Sequence, residues 1–305
     1  MKNFIILIKL IFYKNGYLYN IYNAHFIIAD KITTALLKRS NPLINVLILN
    51  LWTFPKSNFH FDKISKLYFI SEENLIHYFH DASRGKWLYK YGLKNRAISL
   101  AKSYGIDRID FEPGDIVVDV GANYGDVSLF FKLNNIHITL VAFEPDPNAY
   151  EALLKNLNST NTFQKALSDF NGEASLFLAS ARGDSSLCSI EKDSKSIKTR
   201  VARLDEELKN VTKVKLLKVE AEGFEPEVIS GAKNIINKIE FITVDGSCER
   251  GLEKASTIEE ITNVLIQSNF EMVWFNQEHL AGKALFRNKA YQNKPNESNR
   301  NNSIG

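Results

Sequence analysis

In the stretch Ile116-Val117-Val118-Asp119-Val120-Gly121-Ala122-Asn123-Tyr124-Gly125-Asp126, an apolar run ends in an acid and passes into two glycines. A strand, a glycine turn and a helix in that order bring backbone close to a ligand at the carboxyl end of a sheet, where α/β folds place their sites. The GxxxG spacing is not the GxGxxG that seats a pyrophosphate on a helix N-terminus, so it favours a cofactor without phosphates. A second strand pattern ends in Val141-Ala142-Phe143-Glu144-Pro145, and Glu144 lies 23 residues past Gly121. An acid there can accept from both hydroxyls of a ribose, at about 1.5 to 3 kcal/mol per charged hydrogen bond. S-adenosyl-L-methionine has the ribose, no phosphate and an ammonium group that Asp119 can face. The two motifs alone also fit an ordinary βαβ unit with a surface glutamate.

A third stretch, Lys218-Val219-Glu220-Ala221-Glu222-Gly223-Phe224-Glu225-Pro226-Glu227-Val228-Ile229-Ser230-Gly231-Ala232, gathers four carboxylates at a strand-to-helix junction. Such a junction can remove a proton from an acceptor, and a general base contributes about 10² to 10⁴ in rate. Glu220 and Glu222 are the candidate bases, with Lys218 orienting them or balancing their charge. Alternatively, Glu220, Glu222 and Asp245 hold a Mg²⁺, since oxygen ligands suit a hard cation. The metal-free reading is preferred, because glutamates at a helix start also serve as partners of the helix dipole.

Taken together, Asp119 to Gly125, Val141 to Pro145, Lys165 to Gly172 and Lys218 to Ala232 closely resemble the FkbM-type family of S-adenosylmethionine-dependent O-methyltransferases, over residues 112–290. The segment of the form KxDxEGxEPEVLxGA is the most specific part. The resemblance implies an α/β, Rossmann-like class I methyltransferase sheet with helices on both faces. It also implies that Asp119, Gly121, Asn123 and Gly125 line the methionine end of the cofactor, that Glu144 holds the ribose and that Pro145 borders the adenine. Ala166 and Ser168 would lie near the adenine edge. Position 220 is Glu where the family more often has Asp, and the run from Val244 to Gly251 looks like a form found in a subset of it. The implied reaction is in-line methyl transfer to a hydroxyl of a sugar or glycan with help from a carboxylate base.

These motifs need a scaffold. From Glu112 onward short β-branched runs alternate with helical patterns, the mark of βαβ units and a largely parallel sheet. Strands are expected at Ile116–Val120, Ile138–Phe143, Phe163–Leu167, Val214–Glu220, Glu240–Asp245 and Phe270–Phe275. Glu173–Leu178 reads as an added antiparallel strand after the turn Asn171-Gly172. One helix follows Glu225, with Pro226 in its first turn; another opens at Ser256, three residues before Glu259, in capping-box spacing. From Tyr291 the chain is Asn, Ser, Lys and Pro rich and is expected to be a disordered tail.

Residues 1–110 read as a separate, mainly helical region ahead of a domain at 111–290, in keeping with about 150 residues per domain. This front holds 16 Lys and Arg against 7 Asp and Glu, a net +9, whereas residues 111–305 hold 22 against 28, a net −6. It also carries 19 of the 35 aromatic side chains. Such a front suits an anionic or sugar-bearing acceptor, a small molecule or glycan and not a nucleic acid, or a membrane surface; aromatic helix packing under solvated lysines is the plainer alternative. His77 and His80 could share a helix face, but an isolated pair leaves a metal under-coordinated. Two cysteines, Cys188 and Cys248, support neither a disulfide framework nor a zinc site, so a reducing, cytoplasmic setting is expected. Met1 to Phe12 reads as a helix, because Lys9 interrupts the apolar run and no small-residue cleavage site follows. The 12-residue run Leu43–Phe54 is too short to span a bilayer, leaving peripheral contact at the inner membrane face as an option. Two rivals stand against the enzyme: a catalytically silent methyltransferase fold acting as a scaffold, and a nicotinamide oxidoreductase, which the GxxxG turn disfavours.

Overall fold

The computed structural model describes residues 29–52, 58–157, 160–178, 185–187, 195–246, 248–278 and 281–292. The helix expected from Met1 to Phe12 and all but the first two residues of the expected tail lie outside them. The chain divides into two compact units, Met1–Arg96 and Ala97–Gly305.

In the first unit residues 29–39 are helical, followed by helix α1 (Pro42–Trp52). Strands β1 (Asn58–Asp62), β2 (Leu67–Glu72) and β3 (Leu75–Phe79) then form an antiparallel meander. Helix α2 (Ala82–Tyr89) is capped by Asp81, whose side chain accepts from the Arg84 amide at 2.7 Å. The helices match the sequence reading; the meander does not. Its β2–β3 turn is Glu73-Asn74, with Glu73 at φ +53°, and lacks the Asn-Gly or Asp-Gly pair that marks a tight hairpin. His77 therefore sits on β3, not on a helix face shared with His80, and is buried with its ring 5.5 Å from that of Tyr89.

Helix α3 (Leu93–Ser103) crosses the division between the units. Beyond it come β4 (Ile116–Val120), α4 (Val127–Leu133), β5 (Thr139–Phe143), α5 (Pro147–Leu157) and β6 (Thr162–Phe163). Then follow β7 (Ala166–Leu167), β8 (Gly172–Phe177), β9 (Ser196–Ala202) and α6 (Leu204–Glu207). The unit finishes with β10 (Val214–Val219), α7 (Glu225–Gly231), β11 (Ile239–Asp245), β12 (Cys248–Arg250), β13 (Ala255–Ser256), α8 (Ile258–Gln267), β14 (Phe270–Glu278) and β15 (Ala281–Asn288).

Seven strands form one sheet in the order β14-β15-β11-β10-β4-β5-β6. All pairs from β11 to β6 are parallel, and β15 runs antiparallel to both its neighbours. This is the parallel-cored α/β sheet that the alternating pattern from Glu112 onward implies. Both faces are covered, which the alternation along β4 makes visible. Val118 and Val120 pack with Val228, Ile229, Ile261 and Leu265, whereas Val117 packs with Leu100, Ile106, Val127 and Phe131.

Three expectations need correction. The strand read as Phe163–Leu167 is two strands in different sheets: β6 ends at Phe163, the Lys165 amide turns back to the Phe163 carbonyl (3.1 Å), and β7 pairs with β9 instead. β9 and β15 were not foreseen at all. The capping box at Ser256 and Glu259 does not form either. Thr257 is the N-cap of α8 without capping through its side chain, and Ser256 Oγ donates to the Gly246 carbonyl at 2.7 Å.

Candidate functional site

The parallel register of β4, β10 and β11 puts Asp119, Lys218 and Thr243 side by side on one face near the carboxyl ends of their strands. Antiparallel β15 adds Lys283 opposite Asp245. The Lys218 ammonium lies 2.8 Å from Asp119 Oδ1 and 3.0 Å from Glu220 Oε2, and Lys283 pairs with Asp245. Tyr104 stands among them: its hydroxyl donates to Asp245 Oδ2 at 3.4 Å, and the Lys218 and Lys283 ammonium groups lie 5.3 and 4.7 Å from its ring centre. The result is a row of alternating charges along the edge of the sheet.

Burial and charge compete in this row. Burial pushes the Asp119 carboxyl up, and Lys218 draws it only partly back. Burial also works against the Lys218 ammonium, but Asp119 and Glu220 outweigh it and hold the amine protonated. Glu220 is 34% exposed at its side chain. What burial it has raises its pKa, yet Lys218, Lys283 and the Tyr104 hydroxyl more than reverse this and hold it at about 2.

The glycine turn is locked to the neighbouring strand ends. The amides of Gly121 and Ala122 both donate to the Phe143 carbonyl at 3.0 Å. The Glu144 carboxylate accepts from the Asn123 amide (2.7 Å) through one oxygen and from the Asp146 amide (2.8 Å) through the other. A carboxylate oxygen can accept more than one hydrogen bond. Glu144→Gln accordingly weakens cofactor binding by about 1.5 to 3 kcal/mol and also loosens the turn. Calorimetry combined with a melting curve separates the two effects; unchanged affinity in a folded variant removes Glu144 from the site.

Gly121 has φ +71°, and a Cβ there would lie 1.8 Å from the Glu220 carbonyl oxygen. The close approach expected from the sequence is thus an approach to backbone of the acidic junction. Gly121→Ala disturbs stability and site together. The left-handed backbone alone costs about 1 to 3 kcal/mol, and the clash adds to it, an effect read by urea denaturation.

At the junction the four carboxylates part company. Glu227 forms a two-oxygen pair with Arg250 (2.6 and 3.0 Å), whose guanidinium also donates to the Gly223 carbonyl. Glu225 is buried and accepts from the amides of Ala221 (2.9 Å) and Gly223 (3.0 Å) and from the Thr257 hydroxyl (2.9 Å). Burial raises its pKa, against the pull of those donors. The two amides flank Glu222, which is held at φ +50°, and Ser186 Oγ donates to the Glu222 carbonyl at 2.7 Å. A non-glycine residue in that region carries strain that its surroundings must hold in place.

Among the described residues, two buried acceptors beside the turn, Asp119 Oδ2 and Asn123 Oδ1, have no hydrogen-bond partner. A buried acceptor without a donor is costly, so both fit a ligand rich in donors, such as an ammonium group.

The Methyltransferase FkbM domain matches residues 119–285, more than half of the chain. The chain belongs to the FkbM methyltransferase family. It is 24% identical over 218 residues to the 2-O-methyltransferase NoeI of Sinorhizobium fredii, covering 65% of this chain and 89% of NoeI. A 61-residue stretch is 41% identical to the 31-O-demethyl-FK506 methyltransferase FkbM of Streptomyces tacrolimicus, covering 20% of this chain and 24% of that protein. Among solved structures, M. capricolum TrmK in complex with S-adenosyl-homocysteine matches at a TM-score of 0.38 and 10% identity, over 64% of this chain and 68% of that one. As a member of the family, the chain is an S-adenosylmethionine-dependent methyltransferase.

Within the FkbM domain, Asp119, Gly121, Asn123, Glu144, Lys218 and Glu220 come together around the turn. Gly125, at φ +82°, instead packs against α5: a Cβ there would lie 2.8 Å from Leu153. Pro145 is half-buried directly after Glu144. The segment with Ala166 and Ser168 starts beside the site, since the amides of Glu144 and Lys165 share the Phe163 carbonyl. Both residues are buried, and a Cβ on Gly231 of α7 would lie 2.0 Å from the Ser168 carbonyl oxygen. Among the described residues no group of three His, Cys, Asp or Glu is placed to hold a metal ion. Tyr104 and Lys283 were missed. Tyr104 lies ahead of every motif, and Lys283 becomes visible only once β15 is recognised as the antiparallel partner of β11.

Proposed function

We propose that this enzyme methylates a hydroxyl oxygen of a sugar or glycan, with Glu222 as the general base. When bound, S-adenosylmethionine supplies an electrophilic methyl group on a cationic sulfur. Asp119 and Asn123 offer their unpartnered oxygens to its ammonium end, Glu144 takes the ribose hydroxyls, and Pro145, Ala166 and Ser168 serve the adenine side. Glu222 would take the proton of the acceptor hydroxyl, leaving its oxygen free to receive the methyl group. Glu220, with its pKa at about 2, stays ionised at neutral pH. It is a poor base and acts as a fixed hydrogen-bond acceptor that aligns the incoming hydroxyl, the larger contribution in principle.

The observation that carries the base assignment is the Glu225 carboxylate gripping the amides on either side of Glu222. A loop whose backbone is held in a strained conformation by a buried acid is a loop built to hold one side chain in place. The similarity to NoeI, a 2-O-methyltransferase, supports oxygen as the methylated atom. Intact-mass screening of neutral and anionic glycans with isotopically labelled S-adenosylmethionine tests the acceptor class. A mass gain on a sugar hydroxyl is the expected result; methylation only of non-carbohydrate hydroxyls, or none with any acceptor, overturns it.

A further inference from the structure

Helix α1 is inside out for a surface helix. Its asparagines face the protein: the Asn45 amide donates to the Tyr68 hydroxyl (2.8 Å) and the Leu37 carbonyl (3.1 Å), and Asn50 both donates to the Phe59 carbonyl (2.9 Å) and accepts from the Phe59 amide (2.8 Å). These bonds fix the rotation of the helix about its axis. Leu43, Ile44, Leu47 and Leu51 then occupy one outward face and are 45% to 66% exposed. On the preceding helical stretch Ile32 and Leu36, one turn apart, are likewise half exposed. A contiguous row of exposed aliphatic side chains marks an interaction surface.

We infer that this face lies on an anionic lipid surface. From Lys31 to Trp52 there is no Asp or Glu, while Lys31, Lys38 and Arg39 are all exposed. Aliphatic side chains bordered by cations match the boundary between acyl chains and acidic headgroups. A second copy of the chain would set cation against cation across a symmetric interface, which the lack of any Asp or Glu from Lys31 to Trp52 disfavours. At 11 residues α1 extends about 16 Å and cannot cross a bilayer core of about 30 Å, so it lies in the interface plane. The inference rests on no part of the methyl-transfer reading.

Vesicle flotation with the full chain tests it, using phosphatidylcholine alone and phosphatidylcholine with phosphatidylserine. Binding is expected to the mixed vesicles, far less to phosphatidylcholine alone, and to weaken in 1 M salt as screening shortens to about 3 Å. Leu47→Ser with Leu51→Ser lowers partitioning by about tenfold or more, since each exposed leucine removed gives up much of its burial energy. Both positions are exposed, so circular dichroism should show an unchanged fold. Lys38→Glu with Arg39→Glu provides a second variant that removes the preference for phosphatidylserine without touching the apolar face. Equal binding by parent and both variants, or no binding by the parent, overturns the inference. So does a dimer of the parent in sedimentation that Leu47→Ser with Leu51→Ser dissolves while vesicle binding is unaffected.

Discussion

Replacing Lys218 by methionine lowers the unfolding free energy by about 3 to 5 kcal/mol, because it leaves a buried carboxylate without its counter-charge. Asp119 and Lys218 are both almost fully buried, and the ammonium is the partner of Asp119 Oδ1 as well as of Glu220. Adding Asp119→Asn recovers most of the loss, since it removes the fully buried charge that Lys218 balanced and leaves only the partly exposed Glu220 without that partner. Urea denaturation of the parent, Lys218→Met and the double variant measures all three, and additive losses would mean that the pair is not coupled. The pH dependence has a definite sign. In the parent, Glu220 is depressed to about 2, so its stabilising contribution is present above the ordinary glutamate range and is lost as pH falls through about 2. In Lys218→Met, Asp119 is raised further by the loss of its cation, so the variant is penalised as pH rises through that raised value and relieved on acidification. The two stability curves converge in acid.

Glu222→Gln reduces turnover by about 10² or more while leaving S-adenosylmethionine affinity near that of the parent, the pattern of a lost general base. Glu220→Gln behaves differently. It removes the charge that balances Lys218, so it alters acceptor KM and acid stability more than the protonation limb of the rate profile. Plotting kcat against pH for both variants distinguishes the roles: the acidic limb disappears in Glu222→Gln and persists in Glu220→Gln. Near-parental turnover in Glu222→Gln returns the base assignment to Glu220 or Asp245.

Much of this site was legible because its parts are local. A strand, a glycine turn and an acid 23 residues on are contiguous patterns, and so is the acidic junction from Lys218 to Ala232. The sorting of the junction was not legible. Glu225 and Glu227 differ from Glu220 and Glu222 only through Thr257, Arg250 and the direction of the chain after Gly223, none of which a linear pattern contains. Lys283 and Tyr104 depend on strand register and on a helix that precedes every motif. The meander of β1 to β3 was hidden for a related reason. Its aromatic residues carry no turn signal at Glu73-Asn74, so composition alone favours helix.

Along the charged row, the three carboxylates of Asp119, Glu220 and Asp245 stand with the two ammonium groups of Lys218 and Lys283. A row with this many carboxylates would treat the two forms of the cofactor unequally. Methyl transfer turns a cationic sulfur into a neutral thioether, so a cofactor held beside this row, as proposed, would be attracted less once its methyl group has left. With the cofactor bound there as proposed, S-adenosylmethionine is expected to bind more tightly than S-adenosylhomocysteine, and raising the ionic strength is expected to narrow that difference.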